Sequence, residues 1–62
     1  MTPKEMEKMI KNDGWYLDSI ESSHHHYKHH TKAGKVTIPF HSKPKDLSTR
    51  VVRSILKQAG LL

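Results

Sequence analysis

No cysteine occurs among the 62 residues, so neither a disulfide framework nor a thiolate zinc site can hold this chain together. Apolar packing must do it alone, in a length that makes one domain over residues 1–62. A domain of this size buries only about 60% of the surface its unfolded chain exposes. A core and a deep pocket do not both fit. Any site is expected to be a shallow surface groove suited to an extended polymer, rather than an enclosed small-molecule pocket.

Charge narrows the partner. Eleven Lys/Arg against six Asp/Glu give a net +5 with the six histidines neutral, and a field this positive on so small a body favours a polyanion. The N-terminus has no apolar run of signal-peptide length and nothing approaches a membrane span. The expectation is a cytoplasmic protein without a membrane partner.

The order of elements can be read directly. Thr2, Pro3 and Glu5 form a helix start, with Thr2 and Glu5 as a capping box and Pro3 at the first helical position. Met6, Met9 and Ile10 share one apolar face, and Gly14 closes a helix predicted over residues 3–13. Trp15 to Ile20 reads as a first strand, with Trp15 and Leu17 on one face and Tyr16 and Asp18 on the other. A polar turn through Glu21, Ser22 and Ser23 leads to a second strand, His24–His29. Lys32, Ala33 and Gly34 supply the next turn. Lys35–Ile38 alternates as a third strand, which Pro39 closes or marks as an edge. His41 to Asp46 is a loop. Ser48 caps a last helix carrying Val51, Val52, Ile55, Leu56 and Ala59 on one face. Gly60 ends it, and Leu61 and Leu62 are expected to fold back on the core. Short connections favour an α+β fold, an antiparallel three-stranded meander with both helices on one face and the other face open.

The chemistry concentrates in the segment from Ser22 to His30. Histidine exchanges protons near neutrality, its ordinary pKa being about 6.5. Cleavage of RNA by its own 2′-hydroxyl needs a base, an acid and positive charge on the phosphate, with no metal or cofactor. Histidines beside lysines on a strand supply all three. Strand alternation divides them, with His24 and His26 on one face and His25, Tyr27 and His29 on the other, so only one set can meet substrate. Other readings of the run are a purification tag, which its internal position and interruption by Tyr27 and Lys28 disfavour, metal binding through His24/His26 or His25/His29, and RNA contact without catalysis. His41, just past the third strand, can reach the same groove as a second acid/base, a phosphate contact or a plain loop histidine. Lys28, Lys35, Lys43, Lys45, Arg50, Arg53 and Lys57 form a basic set able to touch phosphate without reading sequence. Trp15 reads as core, and Tyr27 as the better candidate to stack on an unpaired base.

Four segments together resemble the HicA family of mRNA interferase toxins: Gly14-Trp15, Ser23 to His29, Val36 to His41, and Arg53 to Leu61. The resemblance implies a fold like that of double-stranded-RNA-binding domains, α-β-β-β-α. It also implies an endoribonuclease that cleaves mRNA and blocks translation, held in check by a HicB-like antitoxin. The family's essential histidine follows a Gly-Ser pair at the start of the second strand and falls here on His24, with His25 as the alternative. Ser23, His26, Tyr27, Lys28, Lys35 and His41 are the candidate RNA-binding residues around it. Where the family has Gly-Ser, this chain has Ser22-Ser23, which predicts backbone strain at Ser22 if the turn needs a positive φ.

Overall fold

A computed structural model describes residues 1–41 and 46–62. The element order is α1 (Pro3–Asn12), β1 (Trp15–Glu21), β2 (His24–His29), β3 (Val36–Pro39) and α2 (Thr49–Gln58). The three strands form one antiparallel sheet in the order β1-β2-β3. The expected α+β architecture is what the chain adopts.

The helix ends follow from their capping residues. Thr2 Oγ1 accepts from the Glu5 backbone N–H at 3.1 Å, and Glu5 Oε1 accepts from the Thr2 N–H at 2.8 Å, so two of the free donors at the start of α1 are satisfied reciprocally. Those hydrogen bonds to Thr2 hold the Glu5 carboxyl below its ordinary pKa. Ser48 Oγ accepts from the Val51 N–H at the start of α2. Past the end of α1, Gly14 adopts φ +101°. A side chain there would meet the His29 ring, since a Cβ would lie 2.6 Å from its Nε2. Glycine is needed at this position on both counts.

Both helices lie over one face of the sheet. Met6 and Ile10 from α1, Ile55 from α2 with Ala59 just beyond it, and Trp15, Tyr27, Val36 and Ile38 from the strands make the buried core. Phe40, Leu47, Val51, Val52 and Leu56 pack around it. Leu61 and Leu62 depart from expectation: they are 38% and 60% exposed. The Leu61 N–H instead bonds back to the Leu56 carbonyl at 2.8 Å, closing the helix end rather than filling the core.

One feature of β1 has no counterpart in simple alternation. The β1–β2 register runs Leu17↔Tyr27 and then Ser19↔His26, so Asp18 is an extra residue forming a β-bulge. The bulge exchanges the two faces for the rest of the strand. Ile20 comes to lie opposite His25 and Glu21 opposite His24, which brings Glu21 to the open face. The spacing of Leu17 and Ile20, three apart instead of two, is its trace in the sequence.

Candidate active site

The register divides β2 as alternation requires. His25 and Tyr27 lie opposite Ile38 and Val36, on the helix-covered face, while His24 and His26 lie opposite Pro39 and Thr37 on the open one. Lys28, opposite Tyr16, shares the open face. The turn before β2 consists of Ser22 and Ser23, and Ser22 has φ +55°. A positive φ at the first loop position of a two-residue hairpin is a conformation that favours glycine.

His24 stands exposed at the start of β2. Its ring meets that of His41 edge to face, with centroids 5.7 Å apart. His41 lies beyond β3 in sequence but is held near the turn by two contacts. The Phe40 N–H donates to the Ser23 carbonyl at 2.7 Å, and Ser23 Oγ and His41 Nδ1 share a hydrogen bond at 3.1 Å whose donor depends on the His41 tautomer. Ser23, His24 and His41 therefore form one exposed cluster.

The other four histidines are occupied otherwise. His26 Nδ1 is 2.9 Å from Thr37 Oγ1, and its Nε2 is 2.9 Å from Glu21 Oε1 in an ion-pair contact that requires the charged ring. His25 stacks on Phe40 with centroids 3.8 Å apart, and its Nδ1 is buried without a partner among the described residues. His29 presents Nε2 to the Asp13 carbonyl at 2.6 Å, while its Nδ1 accepts from the Thr31 and Lys32 backbone N–H groups at 3.1 Å each. This fixes the proton on Nε2 and makes His29 a cap for the end of α1. His30 stacks against Tyr16 at the far end of the strand.

Tyr27 corrects an expectation. Rather than presenting its ring to a base, it is fully buried at the centre of the core. Its hydroxyl donates to Glu7 on α1. Burial, followed by that hydrogen bond and the Glu7 charge, pushes the phenol pKa well above its ordinary value. The cause is register: Tyr27 sits between Leu17 and Val36 on the helix side.

The cations divide into paired and unpaired sets. Lys11 pairs with Glu7, Lys28 with Asp18 at 3.9 Å, and Lys32 with Asp13. Lys35 is exposed just before β3. Arg50, Arg53 and Lys57 line a shallow groove along α2 with Ser54 and Gln58. Gln58 Oε1 accepts from the Thr37 N–H at 2.9 Å, so this groove adjoins the β3 edge next to His26. Lys43 and Lys45 lie outside the described residues. Among those described, no three His, Asp or Glu side chains are grouped to hold a metal ion, and no helix is long and apolar enough to cross a membrane. Thr37 and Glu21, the partners of His26, were not singled out by sequence reasoning. Thr37 was legible as the residue between Val36 and Ile38, whereas Glu21 reaches the open face only through the bulge.

The structure is thus a small helix–sheet layer with an exposed histidine cluster opening its second strand. The family model described as HicA toxin of bacterial toxin–antitoxin matches residues 3–61. The chain belongs to this family, and its role is that of the toxin in a toxin–antitoxin pair. No curated protein matches the chain.

Proposed function

We propose that this toxin is a metal-independent endoribonuclease that cleaves mRNA in the cytoplasm and so blocks translation, with His24 as a general acid/base. The observation that carries the reading is the position of His24. It is exposed on the open sheet face, and no hydrogen-bond partner occupies its ring among the described residues. An exposed imidazole on a domain of net charge +5 combines proton transfer near neutrality with attraction for a phosphate backbone. Ser23, His26 and His41 lie around it, and Lys28 and Lys35 lie towards the other end of β2 and β3; all five are candidate RNA contacts. An uncovered sheet face leaves room for a strand of RNA, and general acid–base catalysis of this kind contributes about 10²–10⁴-fold.

The partner that silences the toxin is proposed to be a HicB-like antitoxin covering the His24 face, with acidic groups facing the basic surface. Formation of the complex should weaken as salt rises, and His24 should become protected from chemical modification. An antitoxin bound only to the helices, leaving His24 reactive, would contradict occlusion of the site.

The reading is tested by replacing His24 with Ala and measuring growth arrest on expression together with RNA cleavage by the purified protein. Loss of both, with the fold retained by circular dichroism, is the expected result. Full retention of both would overturn it. Loss in His25→Ala alone would move the role by one residue. RNA binding with translation arrest but no new RNA ends, unchanged by His24→Ala, would instead indicate a non-catalytic RNA-binding module.

A further inference from the structure

We infer that His41 is the second proton-transfer group of the site, acting as general acid opposite His24. The inference rests on the endoribonuclease reading above and assigns the half of the reaction that reading leaves open. Cleavage by the 2′-hydroxyl is an in-line displacement with two separate proton movements. One proton leaves the attacking 2′-oxygen while another reaches the departing 5′-oxygen, on opposite sides of phosphorus. A single imidazole does not serve both ends at once.

The structure selects the second ring by elimination. His26 is tied to Thr37 through Nδ1, and its Nε2 is buried against the Glu21 carboxylate without a hydrogen bond of its own among the described residues. Both nitrogens of His29 are committed to the cap of α1 and the loop after β2. His25 is stacked under Phe40 on the helix-covered face, and His30 is held against Tyr16 at the other end of β2. His41 alone stands beside His24, its centroid 5.7 Å away and its ring edge-to-face. Two rings at this separation can flank one phosphodiester.

Ser23 completes the arrangement as a positioning residue. Its hydroxyl lies 3.1 Å from His41 Nδ1, and a hydroxyl both donates and accepts. It accepts from Nδ1–H in the imidazolium and goes on accepting from Nδ1–H in the neutral ring left once Nε2 has given up its proton. Either way Nδ1 stays occupied, and the proton exchanged with RNA is carried at Nε2. The Phe40 N–H to Ser23 carbonyl bond fixes the backbone on which His41 depends.

The step then balances. His24 takes the 2′-hydroxyl proton as the 2′-oxygen–phosphorus bond forms. The phosphorus–5′-oxygen bond breaks, and the His41 imidazolium gives its Nε2 proton to the departing oxygen. The products are a 2′,3′-cyclic phosphate and a 5′-hydroxyl. His24 is left protonated and His41 neutral, and exchange with water restores both.

The test compares wild type, His24→Ala and His41→Gln on an RNA with a mapped cleavage site. A second RNA carries sulfur in place of the 5′-oxygen at that linkage. A thiolate departs without needing a proton. His41→Gln should slow cleavage of the ordinary RNA by about a hundredfold or more and lose the alkaline limb of the pH profile. The sulfur substrate should restore this variant to within about tenfold of the wild-type rate on that substrate, a rescue on the scale of the lost acid catalysis. His24→Ala should remain slow on both. A His41→Gln enzyme as fast as wild type on ordinary RNA, or equally slowed on both RNAs, would overturn the assignment. Retention of cleavage by His24→Ala would overturn the underlying reading instead, so the two failures are distinguishable.

Discussion

Ser22, in the turn before β2, and Tyr27, on the helix-covered face of that strand, show how single side chains bear on the element that carries the site. Ser22 holds φ +55°, a region that costs an L-residue about 1–2 kcal/mol. Glycine relieves that strain but loses part of the gain to its greater freedom in the unfolded chain. Ser22→Gly is therefore expected to raise stability by about 1 kcal/mol, or about 4–8 °C in thermal midpoint for a domain of this size. An unchanged midpoint would mean that hydrogen bonding by the serine offsets the strain. The strain was foreseeable from the missing glycine alone. The burial of Tyr27 was harder to foresee, because tyrosine suits both a core with a polar exit and an exposed base-stacking position. The register decides, together with the Glu7 carboxylate that receives the hydroxyl. Tyr27→Phe should cost about 1–2 kcal/mol by denaturant unfolding. Because the phenol pKa is raised in the folded state, the associated stability is complete below about pH 10 and falls as pH rises above it. The Phe variant should lose this alkaline component, and an identical alkaline profile in both proteins would contradict the assignment.

At the scale of elements, the structure is held at one end by a cross-link of charge and backbone. Lys32, in the loop after β2, reaches both the Asp13 carboxylate after α1 and the Ala59 carbonyl after α2. The hydrogen bond and charge of Lys32 keep the Asp13 pKa below its ordinary value. The sign follows from the depressed folded-state pKa. Stability from this contact is present above the ordinary aspartate value and is lost as pH falls through the lower, folded one. Wild type should therefore lose stability below about pH 4 more steeply than Asp13→Asn, and parallel acid unfolding curves would exclude the contact as a contributor. Caps and periods made the helices legible: Thr2, Glu5, Gly14, Ser48 and Gly60 each stand where local backbone chemistry needs them. The limits of β2 were legible from its flanking turns. The bulge at Asp18 was not, because it is a property of pairing between strands and leaves only the odd spacing of Leu17 and Ile20. His41 was legible as a neighbour of the groove, but its contact with Ser23 depends on β3 returning beside the turn before β2.

The whole molecule carries its charge unevenly. Residues 1–30 hold four Lys/Arg and five Asp/Glu, a net −1, while residues 31–62 hold seven Lys/Arg and one Asp, a net +6. The positive half includes Lys35 and the groove along α2, which meets the β3 edge through the Gln58–Thr37 hydrogen bond. On the proposed function, this gives RNA a basic approach to the open face from one side. Lys35→Ala should weaken RNA binding about equally across sequences and reduce the salt slope by about 0.7, the contribution of one phosphate contact to a single strand. An unchanged slope would place Lys35 away from the RNA. Two layers of secondary structure on so short a chain leave one sheet face uncovered, and that face is where the proposed chemistry sits.

The most direct test of the central claim is the identity of the new RNA ends produced by the purified toxin in the presence of a chelator. Wild type is expected to leave 2′,3′-cyclic phosphate and 5′-hydroxyl ends, and His24→Ala to leave none above background. The same ends at the same rate from His24→Ala, or no new ends from a folded wild-type protein that arrests translation, would contradict it.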